Sequence, residues 1–492
     1  MGPDETSSPL SAWRRARASR ARLIVDAETY FAAARRAMMA ARSDIFMLGW
    51  DFDTRVRLDR QVTPKDGDAP TDLGPFISWL AQNRPDLKIR ILRWDVGALK
   101  ALVRGTTIFR LLRWMGSGRV RFRLDGAHPP TGSHHEKILV IDDQLAFCGG
   151  IDMTIGRWDT RDHADGAPGR RPPGGGAPLK PWHDATMALE GEAAAALGDL
   201  ARERWRLATG EDLPPPAPGR RDLWPRGLSA DFDDVEVAIA RTRGACEVRS
   251  EVREVEALHL EMIGAARRFG YFESQYFASP AIAQAMAERL AEPDGPEFVV
   301  VHPRSAEGWL QSEAMDSARA RLLDHLQKAP GGERLRLYCP CTEGGAEIYV
   351  HAKIAVVDDA MLRVGSANMN NRSLGLDSEC DVVIDARGAR PAEAERRGVI
   401  EDIRLGLLAE HLGVTPDEVR RAETQCGSLI GAIESLRSPG RSLRPYEPEE
   451  LGALDRLAAV AEPLDPEGPL ADAEPMTAGG WRRLVGDRLR GA

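Results

Sequence analysis

The chain has no long apolar run, few cysteines and very few lysines. Nowhere in its 492 residues do 18 apolar residues follow one another, so the sequence predicts no membrane-spanning helix. The first 22 residues hold no apolar core of a secretion signal, and we therefore expect a cytoplasmic location. A net charge of −9 opposes broad attraction to a polyanion, so nucleic acid is not an expected partner.

The six cysteines are too scattered to predict a metal centre. Cys339 and Cys341 form the only close pair, and one intervening residue is too few for a zinc knuckle. We interpret all six as reduced thiols, and we expect neither a metal nor another cofactor.

Proline-rich segments and shifts in composition divide the chain into five parts. Apolar strand patterns alternate with helical stretches in both large parts, which is typical of an α/β fold with mixed sheets. The predicted parts are a polar N-terminal tail (1–20), a first repeat (21–213), a Pro-rich linker (214–226), a second repeat (227–415) and a helical or weakly ordered C-terminal extension (416–492).

One element occurs twice, at a constant offset of 216 residues. The stretch 135–143 reads His-Glu-Lys-Ile-Leu-Val-Ile-Asp-Asp, and the stretch 351–359 reads His-Ala-Lys-Ile-Ala-Val-Val-Asp-Asp. The offset continues into the Gly-Gly or Gly-Ser pair that follows, and on to Asp152 and Asn368. An exact internal repeat of this kind predicts two equivalent halves around one function.

The repeated element combines an imidazole with an ammonium. The apolar run predicts a buried strand, so His135 and Lys137 project from the same side of the extended backbone, as their second-half counterparts do. Only seven lysines accompany the many arginines, yet two of them, Lys137 and Lys353, occupy this position. A compact ammonium beside an imidazole suits a phosphate group.

The two aspartates that close the motif have odd spacing from the histidine and the lysine. Asp142 and Asp358 lie near an Asp-Asp turn, so we expect them to anchor the strand rather than to contact phosphate.

Two His-Lys pairs supply what cleavage of a phosphodiester needs. One neutral imidazole attacks phosphorus, the other donates a proton to the leaving alcohol, and two ammonium groups stabilise the phosphate oxygens. The two imidazoles need opposite protonation states, which predicts a bell-shaped pH profile that belongs to the coupled pair. No metal is required for this chemistry.

On these residues the chain resembles the phospholipase D superfamily, whose signature is His-x-Lys-x-x-x-x-Asp followed by Gly-Gly or Gly-Ser. The resemblance covers roughly residues 22–415 and is greatest to the eukaryotic-type enzymes. It implies two mixed sheets flanked by helices, packed as a pseudo-twofold pair with the active site at the interface. Further similar segments are 45–50, 156–159, 181–184, 273–277, 377–379 and 408–413.

The resemblance also implies roles for individual residues. His135 is the expected nucleophile, which forms a phosphohistidine, and His351 is the expected acid. Glu379 and Asp184 resemble the carboxylates that hold each histidine in one tautomer. The expected phosphate contacts are Lys137, Lys353, Asn368 and Asp152.

A phospholipase D that converts glycerophospholipids to phosphatidic acid is the function these features favour. Its partners are a phospholipid at a membrane surface, which would place it at the inner face of the membrane, and water or an alcohol as the acceptor. A cardiolipin synthase-like phosphatidyltransferase is the alternative, a nucleic-acid phosphodiesterase is less favoured, and a catalytically inactive binding module is a further alternative. The head group and the oligomeric state stay open.

Two segments have two interpretations each. The basic and apolar stretch 88–123 fits an interfacial helix on an anionic membrane, or a helix packed on the sheet with a solvated basic face. The Gly- and Pro-rich stretch 161–181 fits an irregular loop that acts as a lid over the site, or ordinary surface disorder. We expect His134 to be structural, because it points away from the motif face.

Overall fold

A computed structural model describes residues 10–65, 67–95, 114, 118–217, 221–246, 249–305, 309–447 and 465. The strands of the first half are β1 (Arg14–Val25), β2 (Asp44–Gly49), β3 (Lys88–Trp94), β4 (Val120–Asp125), β5 (Ile138–Ile141), β6 (Leu145–Gly149), β7 (Trp182–His183) and β8 (Ala185–Gly191). Those that follow are β9 (Phe232–Arg243), β10 (Val252–Arg253), β11 (Phe269–Glu273), β12 (Glu297–Val301), β13 (Leu335–Cys341), β14 (Tyr349–Val350), β15 (Ile354–Val357), β16 (Met361–Gly365), β17 (Glu379–Asp385) and β18 (Ser442–Pro445). The α-helices are α1 (Ala27–Ala40), α2 (Leu73–Asn83), α3 (Glu192–Thr209), α4 (Glu254–Ala265), α5 (Pro280–Leu290), α6 (Trp309–Lys328), α7 (Pro391–Leu412), α8 (Pro416–Cys426) and α9 (Leu429–Leu436).

The strand order repeats about a pseudo-twofold axis. One half runs β1-β8-β6-β5-β2-β3-β4, and the other runs β9-β17-β16-β15-β11-β12-β13, with β18 added at its edge. In each half the three outer strands are parallel and the inner ones antiparallel, so both sheets are mixed. The predicted fold class, two α/β repeats with mixed sheets, is confirmed.

The two sheets are continuous, which the sequence analysis does not predict. Strands β1 and β9 pair antiparallel over most of their length, so the halves share one hydrogen-bonded sheet. Strand β1 begins at Arg14, inside the stretch that the sequence predicts as a polar tail. Its buried positions are occupied by small alanines such as Ala16 and Ala18, whose strand signal is weak, while several of its arginines face solvent.

The motif strands lie at the centre of each half. Strands β5 and β15 are apolar and buried at every position, because the sheet is covered on both faces. Helix α3 packs across the first half, and α7 contacts the second. The starts of β5 and β15 are thereby held in place, which fixes the positions of the motif histidine and lysine that precede each strand.

The predicted linker, the C-terminal stretch and the 161–181 loop can be located, in whole or in part, in the structure. The linker 214–226 contains no helix or strand where it is described. Strand β18 and helices α8 and α9 lie in the C-terminal stretch 416–492. Most of the basic stretch between β3 and β4 lies outside the described residues.

In the loop 161–181, His163 and Arg170 are buried, so the loop is anchored at both points. Among the described helices, none combines the length and the apolar character that a membrane crossing requires.

Candidate active site

Each motif histidine and lysine precedes a central strand, and each motif aspartate follows it. Asp142 accepts hydrogen bonds from the backbone N–H groups of Arg42, Ser43 and Asp44 at 2.7–2.8 Å. These groups lead into β2, so the carboxylate fixes the start of the neighbouring strand. Asp142 itself has a φ of 51°, in the left-handed region that aspartate tolerates in turns.

Asp358 makes the same contacts in the second half. It accepts from the backbone N–H groups of Arg267, Arg268 and Phe269, which lead into β11, at 2.7–2.9 Å. Both aspartates therefore serve as anchors of the sheet, in agreement with the interpretation from spacing.

His135 is held by a carboxylate from the opposite half of the chain. Its Nδ1 lies 2.9 and 3.0 Å from the two carboxylate oxygens of Glu379, at the start of β17. A backbone bridge between His134 and Ser378 sets these segments side by side, and His135 N donates to Ser378 O at 3.0 Å. The hydroxyl groups of Ser366 and Ser373 both donate to Glu379.

His351 is held reciprocally by a carboxylate from the first half. Its Nδ1 lies 2.7 Å from Asp184 Oδ2, just before β8. The short parallel pair of β7 and β14 brings these segments together, and His351 N donates to His183 O at 2.8 Å. A partner at Nδ1 leaves Nε2 of each imidazole available for chemistry.

The two halves differ at one position beside these carboxylates. Gly150 of the first half corresponds to Ser366 of the second, whose hydroxyl binds Glu379. A Cβ at Gly150 would overlap the carboxylate of Asp184 and lie 3.2 Å from His351 O. Glycine at 150 thus makes room for Asp184, whereas serine at 366 supports the longer Glu379.

Both motif lysines are buried, and each binds the backbone of its own motif histidine. Lys137 Nζ donates to His135 O at 2.8 Å, and Lys353 Nζ donates to His351 O. Burial lowers the pKa of Lys353 to about 7, although Asp184 opposes that shift. An incoming phosphate would supply the negative charge that this ammonium lacks.

The electrostatics join the two motifs into one site. Burial lowers the pKa of His135 well below its usual value, and Lys137 and then Lys353 lower it further. Burial does the same to the pKa of His351, with contributions from both lysines, from Arg157 and from His135 itself. Burial raises the pKa of Glu379 to about 8, against the effect of Lys137. Each imidazole therefore lies within electrostatic reach of both ammonium groups.

Asp152 and Asn368 occupy equivalent positions with different contacts. Asp152 Oδ1 accepts from the backbone N–H groups of Trp50 and Asp51, and its Oδ2 lies 3.5 Å from Lys137 Nζ. These contacts suit Asp152 to orient Lys137, and the phosphate contact that the family resemblance implies for Asp152 stays a prediction. The buried Oδ1 of Asn368 has no hydrogen-bond partner among the described residues.

Arg157 is a cation of the site that the sequence analysis does not single out. Its guanidinium stacks 3.8 Å from the ring centroid of Trp182, and that ring lies 5.2 Å from the ring of His351. The sequence does contain a signal for Arg157, because this residue belongs to the 156–159 segment that resembles the phospholipase D superfamily.

His134 is buried away from the site. Its Nδ1 lies 2.9 Å from Glu136 and 3.1 Å from Ser378 Oγ, which fits the structural role expected for it. Trp158 and Phe277 are likewise buried core aromatics.

Comparison with known proteins supports the resemblance in sequence. A family model described as phospholipase D matches residues 341–438, which include the second motif. Phospholipase D alpha 1 of Oryza sativa is 24% identical, over 81% of this chain and 65% of the relative. Phospholipase D delta of Arabidopsis thaliana is 25% identical, over 89% of this chain and 69% of the relative. The chain thus spans about two thirds of the length of these plant relatives.

The fold has a likeness among solved structures. The crystal structure of phosphatidylserine synthase from Haemophilus influenzae superposes with a TM-score of 0.53 and 13% sequence identity, covering 77% of this chain and 86% of that one. A likeness at this identity concerns the fold alone. With two motif copies meeting across one sheet, the chain resembles the phospholipase D superfamily over most of its length, and within it the eukaryotic-type enzymes.

Proposed function

We propose that the protein is a phospholipase D, which hydrolyses glycerophospholipids to phosphatidic acid and a head-group alcohol, or transfers the phosphatidyl group to an alcohol. The observation that carries this proposal is the crosswise pairing of His135 with Glu379 and of His351 with Asp184, beside two buried lysines. This arrangement supports a site in which one imidazole attacks phosphorus, the other transfers protons, and two lysines bind the phosphate.

His135 is proposed as the nucleophile. Glu379 accepts a hydrogen bond from Nδ1–H, which leaves the lone pair of the neutral imidazole on Nε2. Nε2 attacks phosphorus, and the P–N bond forms while the bond to the head-group oxygen breaks. Lys137, Lys353 and the Asn368 amide are suited to stabilise the charge on the non-bridging oxygens.

His351 is proposed as the acid and then the base. It gives its proton to the departing head-group oxygen, and afterwards removes a proton from water or an alcohol that attacks the phosphohistidine. The P–N bond breaks, phosphatidic acid or a phosphatidyl alcohol leaves, and His135 is restored. Because burial and the lysines disfavour a charged His351 in the empty site, the negative charge of the bound phosphodiester is what favours its protonation.

Product analysis tests the proposal. Purified protein is incubated with vesicles of phosphatidylcholine, phosphatidylethanolamine or phosphatidylglycerol, with and without ethanol. Phosphatidic acid, replaced in part by phosphatidylethanol when ethanol is present, supports a phospholipase D. Cardiolipin from phosphatidylglycerol supports the phosphatidyltransferase, and degradation of plasmid DNA supports a nuclease.

Trapping of the intermediate identifies the nucleophile. Quenching with a denaturant at alkaline pH, after mixing with a phosphatidyl-labelled lipid, is expected to leave label on the protein that later acid treatment removes, and His135→Asn is expected to abolish it. The matched control is His325→Gln, which changes an exposed histidine on α6. Activity that survives His135→Asn would contradict the assignment.

A further inference from the structure

A second cluster of buried histidines and carboxylates lies outside the proposed chemistry. Asp26, His163, His183 and Glu410 each direct one donor atom into a common space, and these four atoms lie within 4.8 Å of one another. All four residues are buried, with exposed fractions from 0% to 8%. Two imidazoles and two carboxylates form a donor set that zinc accepts in proteins.

The donor spacing fits a small tetrahedral ion. Ligand bonds of about 2.0–2.1 Å in a tetrahedral zinc site hold neighbouring donors about 3.4 Å apart. Glu410 Oε1 lies 3.1 Å from His163 Nε2 and 2.9 Å from His183 Nδ1. Asp26 Oδ2 lies 3.5 Å from His163 Nε2, and Asp26 Oδ1 lies 3.5 Å from His183 Nδ1.

The outer contacts match those of metal-bound histidines. A ligating imidazole usually donates its other ring N–H to a carboxylate, which fixes its orientation. His163 Nδ1 lies 2.9 Å from Asp159 Oδ2, and His183 Nε2 lies 2.7 Å from Glu273 Oε2. Each imidazole is therefore oriented by a carboxylate at one ring nitrogen, and its other ring nitrogen, Nε2 of His163 or Nδ1 of His183, faces the space shared by the four donors.

One buried carboxylate oxygen of the cluster lacks a hydrogen-bond partner among the described residues. Asp26 is 1% exposed, and its Oδ2 has no hydrogen-bond partner among the described residues. This oxygen faces His163 Nε2 at 3.5 Å, which is too long for a good hydrogen bond. A cation between the four donors would satisfy it.

We propose that Asp26, His163, His183 and Glu410 bind one zinc ion, which holds the two halves of the chain together. Three ligands come from the first half, and Glu410 comes from α7 of the second. The sequence gives no warning of this site, because its ligands are far apart along the chain and include no cysteine. The site is structural, because four protein ligands leave no open position for a substrate.

Metal analysis of the whole protein tests the proposal. Protein purified without chelators or an affinity tag that binds metal is expected to contain roughly one zinc ion per chain by mass spectrometry. Protein stripped with a chelator should regain several degrees of thermal stability when zinc is added back. Cobalt in place of zinc should give the intense visible bands of a tetrahedral site.

Two variants and one control make the outcome decisive. Asp26→Asn keeps the shape of the side chain and should lose the metal and the zinc-dependent rise in Tm, as should His163→Gln. His259→Gln changes a buried histidine on α4 whose Nδ1 lies 2.8 Å from Val255 O, outside the cluster, and should keep both. Activity is not the readout, because Asp184 N donates to Asp26 Oδ1.

The alternative is a network that holds protons in place of the ion. Metal-free protein as purified, with a Tm that zinc does not change and no tetrahedral cobalt spectrum, would overturn the zinc site. That result would leave the proposed phospholipase D chemistry untouched.

Discussion

Glu379, from the second half of the chain, contacts Nδ1 of His135, from the first half, at 2.9 Å. The reverse pairing, Asp184 of the first half with His351 of the second, has an oxygen-to-nitrogen distance of 2.7 Å. Each of the two motif histidines therefore takes its carboxylate partner from the other half of the chain. The site exists only where the halves meet, and each proposed role depends on a residue from both.

Substitutions of Glu379 and Asp184 are expected to affect different steps of the reaction. Glu379→Gln removes the acceptor that keeps the proposed nucleophile in the right tautomer, so it should slow formation of the phosphohistidine by about 10²- to 10⁴-fold. Asp184→Asn weakens the proposed acid, so its effect should depend on the leaving group. The measurement compares a phosphatidyl ester of choline with one of p-nitrophenol, whose release needs no acid.

A burst of p-nitrophenol is the informative signal. Asp184→Asn should keep a burst of roughly one p-nitrophenol per site, because only the first step is easy, while its turnover of the choline ester falls. Glu379→Gln should slow the p-nitrophenol burst and also the turnover of the choline ester. Equal losses on both esters in both variants would contradict the division of roles.

Gly150 is expected to be intolerant of a methyl group. Gly150→Ala places a Cβ against Asp184 and the backbone of His351, so the carboxylate must move away from its imidazole. A displacement of about 1 Å at such a group can cost about 10²-fold in kcat. Gly156→Ala is the control, because a Cβ there meets nothing within 4 Å. Similar kcat and KM for both variants would show that the close approach at Gly150 has no effect.

The sequence predicts the chemistry of the site better than its assembly. His135 and His351 with their lysines could be found because the motif repeats at a fixed offset. Their pairing with carboxylates could be anticipated only through resemblance to a family, because 244 residues separate His135 from Glu379 and no local pattern connects them.

The joining of the sheets escapes prediction for a different reason. Strand β1 alternates arginine with alanine over 15–18, and alanine contributes little to a strand signal even where Ala18 is fully buried. The arginines are balanced by acidic partners from elsewhere in the chain, such as the ion pair of Arg17 with Asp234. Only the folded chain supplies these partners, so the segment looks like a solvated tail in the sequence.

The anchoring aspartates are expected to affect stability rather than chemistry. Asp142→Ala leaves three backbone N–H groups without their acceptor and puts alanine at a positive φ, which should cost about 2–4 kcal/mol. Asp358→Ala should cost less, because that side chain is only half-buried. Calorimetric Tm measures both, and Asp324→Ala, which changes an exposed side chain of α6, should change Tm little. A large loss of kcat at unchanged Tm would contradict the structural role.

Anion binding is expected to weaken as the pH rises through neutrality. Burial lowers the pKa of Lys353 to about 7, so this lysine carries its charge below pH 7 and loses it above. An anion needs that charge, so affinity for sulfate, which stays a dianion over this range, should fall about tenfold between pH 6 and 8. Glu379, with a pKa raised to about 8, adds to the fall as it ionises. Titration calorimetry on Lys353→Arg separates the two, because a guanidinium stays charged: its affinity should fall only by the part that Glu379 contributes, and a slope as steep as that of the unmodified protein would exclude Lys353 as the titrating group.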